Sequence, residues 1–190
     1  MRLPTRDQLE SALLDADDLG PAFTQKPTAA PAPSESEKDT RFKGCQPLAR
    51  LLNAEGGRSD YPQAVATFQS RDGLAVLAEG LTAEPPGALA ADYAQAKQAL
   101  ESCDSISLES AGQTIKFSLT PIHFGGPDSS AVRMDATRQG VLINGYIAIE
   151  RLGDSVALSY LFFQVGGDSS QLASHFYERA ADKARTSLDL

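Results

Sequence analysis

The stretch VLINGYIAIERLGDSVALSYLFFQV, residues 141–165, decides the fold. It splits into VLINGYIAIE and SVALSYLFFQV around Gly153-Asp154, a turn signal. Both runs are apolar at odd and at even positions. A strand with that pattern is buried on two sides, so these are central strands of a sheet. A turn this short makes them an antiparallel hairpin. Gly145 within the first run marks a bend, a bulge or a close backbone approach.

Around this hairpin the period of two continues upstream. In TIKFSLTP the apolar set is Ile115, Phe117 and Leu119, and in AVRMDA Val132 and Met134 alternate with Arg133 and Asp135. Residues 63–70 and 74–83 form a further hairpin turned by Arg71-Asp72-Gly73, Asp-Gly being a strong short hairpin signal. Helical spacing appears four times. Thr5 caps a short helix carrying Leu9, Leu13 and Leu14, which DADDLG ends. Leu48, Leu51 and Leu52 share one face of a helix over 46–54. After Pro85-Pro86-Gly87 a third helix carries Leu89, Tyr93, Ala96 and Leu100. A last one over 170–188 carries Leu172, Phe176, Ala180, Ala184 and Leu188, with Asp168 or Ser169 as N-cap. Residues 26–40, rich in Pro, Ser, Ala and charge, read as a flexible loop. The expectation is a single α+β domain over 1–190: a mainly antiparallel sheet of about six strands with helices packed on one face.

A chain of 190 residues with 42% hydrophobic content can bury one ordinary core. A formal net charge of −8 opposes a nucleic-acid footprint, which needs clustered Lys and Arg, and equally an anionic membrane surface. No apolar run approaches the ~20 residues of a spanning helix. Met1-Arg2 leads into LPTRDQLE without an apolar h-region, so the sequence start reads either as cytosolic or as a mature portion.

Two cysteines choose between these. Cys45 opens one helix and Cys103 closes another, 58 positions on. Neither they nor His123 and His175 give the local ligand spacing of a zinc site, and there is no CxxC. Two inert core thiols or one disulfide remain. The disulfide is favoured, because both residues lie at element ends where segments can be joined without disturbing a packed face. Disulfides persist in oxidising compartments, which puts the protein outside the cytosol.

The motifs CQPLARLL and ALESC, with GGPDSSAVR, the long hairpin and a final helix ending ERAADKARTSL, resemble the PknH-like extracellular domain family. The resemblance covers most of residues 5–188. It implies a mixed α/β domain with a ligand-sized cleft and no established catalysis, found as the outer part of a mycobacterial serine/threonine kinase and as secreted proteins or lipoproteins. The kinase-attached member carries more disulfides, whereas here only Cys45 and Cys103 can pair.

For chemistry the residues offer little. GGPDSS (125–130) and GGDSS (166–170) read as glycine turns, with Asp and Ser capping the element after each; no Lys stands in a P-loop arrangement. No G-x-S-x-G elbow presents a serine to either histidine. Glu150 and Asp135 can share a sheet face, and Arg133 with Asp135 reads as an ion pair. If the face holding Leu142, Tyr146, Ala148, Val156, Leu158 and Tyr160 lacks a cover, it becomes an apolar groove. The expected function is a secreted or lipid-anchored, non-catalytic binding or sensing domain at the cell surface. Its ligand is a small amphipathic molecule or envelope component over the long strand pair, with Arg133, Tyr146 and Tyr160 lining the site. No cofactor, metal or nucleic-acid partner is expected, and membrane contact only through a lipid anchor outside this chain. The alternatives are a secreted hydrolase using His123 and a protein-protein interaction module using the open sheet face.

Overall fold

The computed structural model describes residues 2–27, 41–53, 60–110, 112–167 and 170–190. Among these, the helices are α1 (Arg6–Ala12), α2 (Ala16–Leu19), α3 (Gln46–Asn53), α4 (Pro86–Glu101) and α5 (Ser170–Leu188). The strands are β1 (Phe23–Gln25), β2 (Arg41–Gly44), β3 (Gln63–Ser70), β4 (Ala75–Ala83), β5 (Ser105–Ser110), β6 (Gln113–Ile122), β7 (Ser129–Arg138), β8 (Val141–Leu152) and β9 (Val156–Val165). They form one sheet in the order β1-β3-β4-β9-β8-β7-β6-β5-β2. Every neighbouring pair is antiparallel.

The long hairpin is central, as its dual apolarity requires. β8 and β9 pair from Leu152↔Val156 to Ile143↔Val165. Tyr146 and Ala148 point to one core, Ile147 and Ile149 to another. The first core lies beneath α1, α2 and α5 and includes Phe68, Leu77, Leu158, Tyr160 and Phe162. The second lies beneath α3 and α4 and includes Leu100, Ile106, Phe117, Val132 and Met134. Helices therefore cover both faces, which corrects the expectation of one face. Side chains alternate across a strand, so two buried sets on β8 demand two covers. The sheet also has nine strands, not about six. The additional ones are β1, β2 and β5, of which β1 and β2 are outer strands of three and four residues.

Local signals hold where side chains make the turn. Thr5 caps α1 through the Gln8 N–H, with Gln8 returning the bond to the Thr5 N–H. DADDLG, instead of merely ending that helix, forms α2 with its own capping box between Asp15 and Asp18. Asp72 accepts from Ser70 Oγ (2.6 Å) and the Leu74 N–H (3.0 Å), which fixes the β3–β4 turn. A Cβ at Gly145 would lie 2.7 Å from both Met134 Cε and Phe163 Cε1, so this glycine serves a close approach. The disulfide Cys45–Cys103 is formed, joining the start of α3 to the end of α4 with Cα atoms 5.9 Å apart. Most of the loop read over 26–40, and the N-cap residues 168 and 169, lie outside the described residues.

Candidate functional site

A cleft of about 300 Å³ opens where the β6–β7 turn meets the last two turns of α4. Ile122, Phe124 and Val132 contribute apolar lining, and Lys97, Glu101, His123 and Ser130 polar lining. Its size is at the lower end of the range for small-molecule sites. Lys97 and Glu101, four residues apart on α4, stand 3.7 Å from each other, so the α4 wall carries both signs.

The wall formed by the turn is built from beneath. Glu150 of β8 is buried, 1% exposed. It accepts hydrogen bonds from Tyr177 and Arg185 of α5 and from the Gly126 N–H at 3.3 Å. Three donors, one of them charged, offset the cost of burying that carboxylate. Burial, then the bond to Glu150, raises the Tyr177 hydroxyl well above the usual phenol range, so it stays a donor. The Gly125-Gly126 pair is what lets the turn come so close. A Cβ at Gly125 (φ +72°) would stand 2.6 Å from the Tyr177 ring and 2.8 Å from Glu150 Oε2. Ser129 Oγ ties the turn to itself by donating to the carbonyls of Phe124 and Gly126, the latter at 2.7 Å. Phe124 stacks on Tyr146 behind it, ring centroids 5.9 Å apart.

No family model matches this chain, and no curated protein matches its sequence. Solved structures do match it. The extracellular domain of PknH from Mycobacterium tuberculosis aligns over 97% of this chain and 98% of its own, with a TM-score of 0.72 at 11% identity. This is the fold of the PknH extracellular domain. A putative uncharacterized protein of Mycobacterium smegmatis, an Rv0999 ortholog, aligns over 95% of both chains with a TM-score of 0.44 at 13% identity.

Within this PknH-type fold, the residues singled out in the sequence separate. Arg133 and Tyr146 are register partners on β7 and β8. The Arg133 guanidinium lies 5.8 Å from the Tyr146 ring centroid and pairs with Asp135 at 2.8 Å, as the sequence suggested. Asn144 donates to the same Asp135 carboxylate. Tyr146 is fully buried and Tyr160 nearly so, its hydroxyl donating to the Ala173 carbonyl of α5 at 2.9 Å. The face expected to be open if uncovered is closed by α5. Both tyrosines back the cleft through Phe124 and Tyr177 and do not line it. His123, by contrast, does line it. Lys97 and Glu101 escaped the sequence reading because a Lys-Glu pair at helical spacing reads as a solvated face.

Proposed function

We propose that this protein is a non-catalytic extracellular sensing domain that holds a small amphipathic molecule in the cleft between α4 and the β6–β7 turn. The carrying observation is the cleft's mixed apolar and polar lining beside a turn clamped by Glu150, Tyr177 and Arg185. Two further observations support the reading. The fold is that of the PknH extracellular domain, the outer part of a kinase. The Cys45–Cys103 disulfide suits an oxidising compartment. Attachment to the cell surface through a lipid anchor, and an envelope component as ligand, belong to the same proposal. Tyr146 and Tyr160 shape the site from behind, and Arg133 holds Tyr146 in place.

The test is chemical-shift mapping with octyl glucoside kept below its micelle concentration. Shifts confined to Lys97, Ile122, His123, Phe124 and Val132, and lost in Ile122→Lys, are expected. Shifts centred elsewhere overturn the assignment. Turnover of ester or peptide substrates that is abolished by His123→Ala would restore the hydrolase alternative. Against it, the Ser129 proton is committed to carbonyl acceptors, whereas a nucleophile gives its proton to a base.

A second reading rests on the strands that α3 and α4 leave uncovered. There Val65 is 44% and Val165 38% exposed, beside half-buried Val76, Leu161 and Phe163. An apolar strip of this kind suits a protein-protein contact. Concentration-dependent association that Val65→Lys abolishes would favour it.

A further inference from the structure

We propose that Glu79 is a proton-operated latch on the α1–α2 pair: protonated, it keeps these helices seated on the sheet, and ionised, it loosens them. The geometry is unusual for a glutamate. Glu79 lies mid-strand in β4, faces the first core and is 1% exposed. Its Oε2 accepts a single bond, 2.9 Å from the Leu14 N–H. Leu14 lies in the link between α1 and α2, so this bond ties the sheet to the joint of the pair. Oε1 has no partner among the described residues.

Among the described residues, no neighbouring element supplies an uncommitted cation. From β9, Tyr160 stands directly opposite in register, with its hydroxyl committed to Ala173. From β3, the opposite residue is Ala66. From α2 comes Asp18, a like charge, and from α5 comes Lys183. Lys183 already serves two carboxylates, Asp15 at 2.9 Å and Asp18 at 2.6 Å. An ionised Glu79 is thus a third carboxylate for one ammonium, held in a dry site with one donor. A protonated one carries no such cost. Burial accordingly pushes the Glu79 carboxyl up to about 7 from 4.5, against the opposing pull of the Leu14 N–H and Lys183.

Proton linkage sets the direction of the effect. The seated form binds the proton more tightly than the open form, in which Glu79 titrates near the ordinary 4.5. Opening is therefore least at and below about pH 4.5, grows about tenfold per pH unit up to about pH 7, and is level above that. What opens is the cover made by Leu9, Leu13, Leu14 and Leu19.

Amide hydrogen exchange of the whole chain, corrected for intrinsic rates, tests this between pH 5 and 8. Protection at Leu14 and along α1 is expected to fall roughly a hundredfold over that range while α4 holds steady. Glu79→Gln, which keeps the acceptor and cannot ionise, is expected to remove the pH dependence. Protection that is independent of pH in the natural protein, or equally dependent in Glu79→Gln, overturns the latch. If Glu79→Gln does not fold, the carbon-13 shift of the natural Glu79 carboxyl decides. A midpoint near 7 shared with the Leu14 amide supports the proposal, and a midpoint in the ordinary glutamate range overturns it.

Discussion

The two faces of the sheet reach stability by different means. The first is covered by a 19-residue helix, α5, whose buried Ala173, Ala180, Ala181 and Ala184 let it approach closely. Large rings from the sheet fill the space: Tyr160 meets Tyr177 and Phe162 meets Phe176 edge-on, while Tyr146 lies tilted against Phe162. The second face is mostly aliphatic, and one of its two helices, α3, has only eight residues. A helix below about 12–15 residues is marginal unless packing or a covalent tie holds it. The disulfide stands on that face. The face covered by α5 carries no staple, whereas on the other face α3 is stapled to the end of α4.

This contrast can be broken from either side. The largest effect is expected from Phe162→Ala, which empties a fully buried ring site on the first face and costs about 3–5 kcal/mol in denaturant unfolding. A double Cys45→Ala, Cys103→Ala variant should lose about 2–4 kcal/mol. It should also lower exchange protection in α3 before α5, and equal loss in both helices would contradict the division of labour. Gly125→Ala should cost about 1–3 kcal/mol, because it strains a left-handed backbone and drives a Cβ into Tyr177. It should also shift the resonances of the cleft wall, and an unchanged wall would show that the clamp beneath the turn is slack.

How far the sequence carried the fold obeys the same physics. Residues apolar on both sides, such as Ile147 next to Tyr146, made the central hairpin plain. They also imply two covering layers, an implication outweighed by the usual segregation of helices in antiparallel folds. The outer strands β1 and β2 were illegible because three or four residues, mostly exposed, show no alternation. In β5, SISLES alternates only Ile106 and Leu108 with polar residues directly after a helix end, too short a pattern to mark a strand. The cysteine pairing was legible from its place at element ends. The cleft was only half so. His123 and GGPDSS are conspicuous, but nothing in them says that Lys97 and Glu101 lie across from them, or that Glu150 stands below. Tyr146 and Tyr160 stood out as aromatic, and an aromatic residue signals core as readily as site.

The pairing of β4 with β9, from Ala83↔Val156 to Ala75↔Gln164, has a price in time. The amino-terminal hairpin is finished about seventy residues before its partner strand exists, a delay of several seconds at ordinary synthesis rates of about 5–20 residues/s. Throughout that interval a long, largely apolar edge stands without its hydrogen-bonding neighbour, the situation most prone to mispairing with another chain. The open edge of β4 is therefore where the growing chain is most exposed to mispairing until the carboxy-terminal third arrives.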